Sequence, residues 1–183
     1  LPTRDGVCIC LLGEGAFDEH MQVALLVLKK LKAHNGRQGR AELKFQVRVG
    51  INAHTDVHMK DIRGNWNMAG RGISDAQRVM DAGDGGNVIV SEIVYKTLID
   101  SDKYLKPTIN FKHSVVRDKH GDLRDVYQYI DSRAPGLNNE EARPRNNESE
   151  MAVRNGEALF WLGHDLRWTR SQLTEGASKE RIL

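Results

Sequence analysis

Three runs of the sequence decide the fold: Arg48-Val49-Gly50-Ile51-Asn52, then Asn67-Met68-Ala69-Gly70-Arg71-Gly72-Ile73-Ser74-Asp75-Ala76-Gln77-Arg78-Val79-Met80, then Gly86-Asn87-Val88-Ile89-Val90-Ser91. The first and third runs are rich in β-branched residues and predict strands. The middle run predicts a glycine-containing loop that opens a helix, and this helix carries one arginine. Such an order of elements is typical of an α+β site that handles phosphate rather than of a helical bundle.

Hydrophobic periodicity predicts further elements around these runs. Strands are predicted at 7–12, 43–52, 88–90, 109–116 and 126–130, with a further one at 54–60. Helices are predicted at 18–32 and 73–82, and a short third one begins at Ser91, which we expect to be its N-cap. The resulting order, β-α-β-(β)-α-β-α-β-β, predicts an α+β domain with one mixed sheet and helices on one face.

The composition limits the class of protein. The chain has 183 residues, of which 39% are apolar and 28% are charged, so it can bury the core of one domain. A formal charge of +2 is too balanced for a dedicated nucleic-acid-binding protein. No apolar segment approaches the roughly 20 residues that cross a bilayer. No signal peptide opens the sequence, so we expect a cytoplasmic protein.

Two groups of residues could suggest a metal site. Cys8 and Cys10 alternate with isoleucine, which places both thiols on one face of a strand and suits a reduced interior better than a disulfide framework. A C-x-C metal pair is disfavoured because the sequence has no further thiols. His54, Asp56 and His58 could suggest zinc. Their flanking residues favour a strand, however, and a four-residue spacing brings histidines together only on a helix. We therefore expect no zinc site here.

The composition changes toward the C-terminus, and we expect three parts along the chain: a domain at 1–133, a linker at 134–150 and a further segment at 151–183. The linker is rich in Pro, Asn, Glu and Arg and has almost nothing to bury. In the last segment, Trp161 and Trp168 are seven residues apart and fall on one helical stripe. This spacing predicts a docking helix, and the start of a sensor or effector domain is the alternative.

Three motifs together resemble the catalytic domain of class III nucleotidyl cyclases. They are Thr3-Arg4-Asp5-Gly6, the run from Gly70 to Arg78, and Asp118-Lys119-His120-Gly121. The resemblance covers residues 1 to about 131 and implies a ferredoxin-like class III cyclase fold. The family's first strand and the two helices after it have no counterpart here, so the N-terminal part of the domain is expected to be missing.

The resemblance implies a metal site and a dimer. In the family, two aspartates hold two Mg²⁺ or Mn²⁺ ions, and Asp5 stands at the place of the second aspartate. The first aspartate has no counterpart in this sequence. The metal aspartates of one subunit face the arginine of the other across a shared cleft, so the resemblance implies a homodimer with shared active sites.

The resemblance also assigns roles on the predicted helix. The family motif has the form G-x-x-V-N-x-A-x-R, in which the asparagine orients the ribose and the arginine stabilises the transition state. Asn67 and Arg71 also stand four residues apart, but Arg78 has the family's spacing to Ser91. Arg78 then takes the place of the catalytic arginine, and Ser74 takes that of the asparagine. Ser74 is a departure from the motif, because a hydroxyl reaches less far than a carboxamide and donates one hydrogen bond.

Three further residues would bind the substrate. Gln46 and Asn67 stand at the positions that select the base in the family, and Lys119 resembles the lysine that contacts the triphosphate. Neutral amides both donate and accept hydrogen bonds, and two of them suit a pyrimidine at least as well as a purine. This choice is consistent with bacterial cyclases that make cyclic UMP or cyclic CMP as an antiphage signal.

The resemblance therefore implies a lyase that converts a nucleoside triphosphate, with UTP or CTP slightly favoured, to a 3′,5′-cyclic nucleotide and pyrophosphate. The alternative is a catalytically silent cyclase-homology module that binds a nucleotide or a partner protein for regulation. An RNA-binding ferredoxin-like sheet would need exposed aromatic residues on its strands, and the predicted strands carry almost none.

Overall fold

The computed structural model describes residues 6–12, 16–117 and 121–142. Its helices are α1 (Glu19–Arg37), α2 (Gly72–Asp81) and α3 (Glu92–Ile99). Its strands are β1 (Val49–Ile51), β2 (Val57–Lys60), β3 (Trp66–Ala69), β4 (Val88–Ser91), β5 (Ile109–Arg117) and β6 (Leu123–Asp131). Short 3₁₀ turns lie at Ala41–Leu43 and Asp102–Tyr104. The prediction of an α+β fold is confirmed, and the helices predicted at 18–32, at 73–82 and from Ser91 onward are present.

The described strands form two sheets rather than the single predicted one. Four strands are hydrogen-bonded in the order β1-β4-β6-β5, and this sheet is mixed because β1 runs parallel to β4 while the other pairs are antiparallel. Within the described part of the chain, strands β2 and β3 pair only with each other. Residues 67–69, predicted as part of a loop, are therefore in a strand. A tight turn brings β2 and β3 together, and in this turn the Asp61 carboxylate accepts hydrogen bonds from the backbone N–H groups of Arg63 and Asn65.

Helices cover both faces of the four-stranded sheet, so the prediction of helices on one face is wrong. Three consecutive residues of β4, Val88 to Val90, are all buried, and neighbouring side chains of a strand point to opposite faces. Val88 and Val90 belong to a core with residues of α1 and α3. Ile89 belongs to a second core with Val79 of α2.

Helix α2 lies very close to β1 at Gly50. A Cβ atom on this glycine would overlap the backbone nitrogen of Met80 and the backbone oxygen of Ala76. At the other end, the Asn52 amide donates a hydrogen bond of 3.4 Å to the Gly72 carbonyl. The helix that carries the predicted catalytic residues is therefore packed against β1 along its whole length.

Residues 7–12 are not the buried strand that their composition predicts. Of residues 7–12, which are all described, Val7 alone forms a β-bridge. Val7, Ile9 and Leu11 are exposed. A strand needs a hydrogen-bonded neighbour, and β1 is the last described strand on its side of the sheet. The Cys8 and Cys10 sulfurs are 3.7 Å apart, which agrees with the predicted common face, and the two cysteines form no disulfide with each other. Cys10 is exposed, so the expected interior setting is wrong.

Residues 134–142, inside the predicted linker, lie on the sheet. The buried Asn87 amide donates to the carbonyls of Asn138 and Glu140 over 2.9 and 3.3 Å. The buried Gln128 amide donates to the Glu140 carbonyl over 2.7 Å and accepts from the Ala142 N–H over 3.0 Å. Two buried amides therefore connect this segment to Asn87, the residue before β4, and to β6.

Three smaller observations complete the fold. Ser91 is the N-cap of α3, as predicted, although its hydroxyl makes no capping hydrogen bond. The predicted segment at 151–183 lies outside the described residues. No helix in the described ranges has both the length and the apolar character that a membrane crossing needs.

Candidate functional site

Helix α2 brings two of the predicted site residues together. Ser74 is in its first turn and Arg78 is four residues later, a spacing that places both side chains on one side of the helix. Ser74 is exposed, and one fifth of the Arg78 side chain is accessible (20%). Both residues are therefore within reach of a ligand that lies along this side of α2.

The N-terminus of α2 is occupied by a carboxylate of the same chain. The Gly72 N–H donates a hydrogen bond of 3.3 Å to Asp56, whose side chain is only 7% exposed. A Cβ atom on Gly70 or Gly72 would overlap this carboxylate, so the glycines provide room for it. His54 Nδ1 lies 2.7 Å from the same Asp56 oxygen. Since an anion already meets the positive end of the helix dipole, the side of α2 is the better place for a phosphate than its end.

Asp75 holds two arginines beside each other. Arg78 Nη1 donates to Asp75 Oδ1 over 3.0 Å, and Arg124 Nη1 on β6 lies 3.1 Å from the same oxygen. The Asp75 side chain is 15% exposed. The ion pair fixes the guanidinium of Arg78 against the sheet and connects α2 to β6.

The two predicted base-selecting residues are not brought together. Asn67 is in β3, which precedes α2, and its backbone pairs with Met59. The Gln46 side chain packs against Gly85, in the turn that follows α2. The ten residues of α2 rise about 15 Å, so Gln46 and Asn67 lie toward opposite ends of this helix.

Asp5 and Lys119, the predicted metal ligand and triphosphate contact, lie outside the described residues. Within the described ranges, no group of three His, Cys, Asp or Glu side chains could hold a metal ion. His54 and Asp56 are in contact, whereas His58 stacks on Trp66 with 4.4 Å between the ring centroids. Since Mg²⁺ usually takes only one or two carboxylates together with substrate phosphates, this finding leaves the prediction for Asp5 untested.

Two cavities lie elsewhere in the described part of the molecule. One, of about 250 Å³, lies between α1 and α3 and is lined by residues that include His20 and Val94. The other, of about 320 Å³, lies on the α2 face of the sheet and is lined by residues that include Val126 and Ala142. Ser74 and Arg78 line neither of these two cavities, and among the described residues both side chains are accessible from solvent.

Sequence reasoning missed Asp75 and Arg124. The spacing of Asp75 and Arg78, three residues apart on a helix, is a recognisable signal for an ion pair. Arg124 gives no such signal, because it reaches Asp75 only through the packing of α2 on the sheet.

Comparison with known proteins finds similarity to adenylyl and guanylyl cyclase structures. The guanylate cyclase domain of RhGC from Catenaria anguillulae, solved in complex with GTP, is 17% identical with a TM-score of 0.47, and the match covers 63% of this chain and 59% of that one. The adenylyl cyclase CyaB from P. aeruginosa is 23% identical with a TM-score of 0.42, covering 66% and 56%. An adenylate cyclase from Trypanosoma brucei, in its monomeric state, is 17% identical with a TM-score of 0.41, covering 70% and 59%.

No protein-family model matches the chain, and no curated protein matches it. The chain spans less than two thirds of the length of these solved structures. These similarities assign neither a family nor an activity, and an assignment of activity rests on the residues of this chain.

Proposed function

We propose that this chain is the catalytic part of a nucleotide cyclase, which converts a nucleoside triphosphate to a 3′,5′-cyclic nucleotide and pyrophosphate. The observation that carries the proposal is the pair of Ser74 and Arg78 at the motif spacing on one side of α2, with Arg78 fixed by Asp75. A fixed cation beside an exposed hydroxyl suits a ligand that combines a polyphosphate with a ribose.

The proposed chemistry assigns a step to each side chain. The 3′-hydroxyl oxygen of the substrate attacks the α-phosphorus, the bond to the bridging oxygen breaks, and pyrophosphate leaves while the hydroxyl proton passes to solvent. Negative charge grows on the α-phosphate and on the leaving group, where Arg78 would stabilise it. Ser74 would hold the ribose through one hydrogen bond.

A homodimer is part of the proposal. Because Ser74 is exposed and the Arg78 side chain is partly accessible, a second chain could close the site around a nucleotide. The ribbon of β2 and β3 supports self-association, since a two-stranded sheet is marginal by itself and its large apolar side chains are exposed. These side chains are Val57, Met59, Ile62 and Trp66.

The metal and the base belong to the proposal as well. Mg²⁺ or Mn²⁺ would bind at Asp5 and would supply charge for the triphosphate and a lower pKa for the 3′-hydroxyl. We propose a pyrimidine, from UTP or CTP, on the basis of the neutral amide of Asn67, because Gln46 lies toward the other end of α2. Asn67 is the better placed of the two, since β3 leads directly into α2. A cyclic pyrimidine nucleotide would serve as an antiviral second messenger.

A product assay tests the proposed activity. The purified protein is incubated separately with ATP, GTP, CTP and UTP in the presence of Mn²⁺, and the products are identified by mass spectrometry. We expect one cyclic mononucleotide, with the largest yield from UTP or CTP. Formation of a cyclic purine nucleotide alone would contradict the base assignment, and formation of no cyclic nucleotide would contradict the activity.

The second candidate is a cyclase-like module that binds a nucleotide without turnover. Two observations favour it: Ser74 replaces the asparagine of the motif, and Arg78 is already paired with Asp75. The same assay separates the candidates when it is combined with calorimetric titration of each nucleotide. A silent module binds a nucleotide and releases no pyrophosphate, whereas an enzyme releases pyrophosphate together with its cyclic product.

A further inference from the structure

Arg124 lies beside the proposed catalytic arginine although it belongs to a different element. Both guanidinium groups contact the same oxygen, Asp75 Oδ1, at 3.0 and 3.1 Å. The two Nη1 atoms can therefore be no further apart than the sum of these two distances. Without the carboxylate between them, two cations would repel each other at this separation.

The position of Arg124 is set by the strand that carries it. On β6, Arg124, Val126 and Gln128 alternate toward one face, and Val126 is in the core that contains Val79 of α2. Arg124 is thus on the face that α2 covers. One fifth of its side chain is accessible (20%), the same fraction as for Arg78, so both groups reach the surface.

We propose that Arg124 is a second polyphosphate-binding residue, and that Asp75 holds Arg78 and Arg124 in place as a two-guanidinium clamp. This inference rests on the proposed function in that it uses the same side of α2. A guanidinium presents five N–H donors in a planar fork that matches phosphate oxygens. Two such groups on one carboxylate can each bind a different phosphate of one chain and together offer twice the charge and twice the donors of a single arginine.

The two arginines are expected to differ in their kinetic effects. Arg78 would act on charge that appears in the transition state, so its loss lowers kcat. Arg124 would bind the phosphates equally in the substrate and in the transition state, so its loss raises KM and leaves kcat nearly unchanged.

A binding experiment tests the clamp separately from turnover. Inorganic tripolyphosphate is titrated calorimetrically into the purified protein in EDTA, so that no divalent ion contributes, and wild type is compared with Arg124→Ala, Arg124→Lys and Arg133→Gln. Loss of charged hydrogen bonds to Arg124 is expected to weaken binding about tenfold or more. Arg124→Lys keeps a point charge but not the fork, and we expect an intermediate affinity. Arg133→Gln removes the same charge outside the clamp and is expected to bind as wild type.

The outcomes distinguish the clamp from the cyclase activity. Equal binding by wild type and Arg124→Ala, or no binding by wild type, overturns the clamp even if the protein makes a cyclic nucleotide. Weakened binding by Arg124→Ala supports the clamp even if no cyclic nucleotide forms. Circular dichroism of each variant shows whether the fold is kept, and if Arg124→Ala does not fold, the comparison of Arg124→Lys with wild type decides.

Discussion

The backbone N–H of Gly72 donates a hydrogen bond of 3.3 Å to the Asp56 carboxylate, which fastens the first turn of α2 to the segment before β2. No side chain caps α2 at its N-cap position, Arg71. Asp56, sixteen residues before Gly72, therefore caps the N-terminus of α2 in place of the Ser or Asp that commonly stands at the N-cap position. Because α2 carries Ser74 and Arg78, this bond also sets the position of the candidate site.

Removing the Asp56 carboxylate should destabilise the N-terminus of α2. We expect Asp56→Ala to lower the free energy of unfolding by about 1 kcal/mol, since it removes an acceptor at the helix N-terminus and an anion at the positive end of the dipole. Asp56→Asn keeps an acceptor and should cost less. Urea unfolding followed by circular dichroism measures both changes. Equal stability of Asp56→Ala and wild type would show that the contact has no capping role.

Two glycine substitutions should have opposite effects. Gly50→Ala places a Cβ atom against the backbone of α2 at Ala76 and Met80, and we expect a loss of about 1–3 kcal/mol from overpacking. Gly36→Ala is the matched control, because it lies near the end of α1 with nothing within 4 Å of the added carbon. Alanine should stabilise a helix at this position by up to about 1 kcal/mol. Thermal unfolding measures both, and a tolerated Gly50→Ala would contradict the close packing of α2 on β1.

Sequence reasoning succeeded where the pattern is local. Hydrophobic periodicity predicts α1 and α2, a run of β-branched residues predicts the strand at Val88 to Val90, and two further such runs predict β5 and β6. The structure contains each of these elements. The observed ends of these elements differ from the predicted ends by a few residues. Helix α1, for example, continues through Asn35 and Gly36 to Arg37.

The remainder of the fold depends on contacts that the local pattern does not contain. Residues 7–12 have the composition of a strand but no described partner, and residues 66–69 become a strand because they pair with β2. The contact of Asp75 with Arg124 joins residues that are distant in sequence, so only the packing of α2 on the sheet reveals it.

A buried carboxylate should make the stability depend on pH. Burial by itself raises the pKa of Asp18, but hydrogen bonds from Lys103, Tyr104 and Gln22 outweigh it and bring the pKa below the ordinary value of 3.8. A lowered folded-state pKa stabilises the protein above the unfolded-state pKa, and this contribution is lost as the pH falls below 3.8 through the folded-state value. Asp18→Asn should therefore be less stable than wild type at pH 7, with a smaller difference at pH 3. Urea unfolding at both pH values checks this, and a constant difference would contradict the assignment.

The segment at 134–142 should contribute to stability although its composition predicts a linker. Asn87 is fully buried, and its amide donates to the carbonyls of Asn138 and Glu140. Asn87→Ala leaves buried backbone groups without partners and should cost about 1–3 kcal/mol. A chain that ends at Arg133 should be destabilised as well, whereas one that ends at Ala142 should not. If the two shortened chains unfold at the same temperature, the segment is a linker.

The proposed transition-state role of Arg78 can be tested together with the shared site. Arg78→Ala should lower cyclisation on the order of a hundredfold or more, as expected for the loss of a cation that stabilises developing charge. The variant should remain a dimer in light scattering, since Arg78 pairs with Asp75 of its own chain. Asp5→Ala should also be inactive if Asp5 holds a metal ion for the same reaction.

The most direct test of the central claim is to mix these two inactive variants and measure cyclic nucleotide formation. If Asp5 of one chain and Arg78 of the other build one site, half of the exchanged dimers contain one intact site. The mixture should then recover about a quarter of the wild-type rate after subunit exchange. A mixture that exchanges subunits and stays inactive, while wild type is active, would contradict an active site shared between two chains.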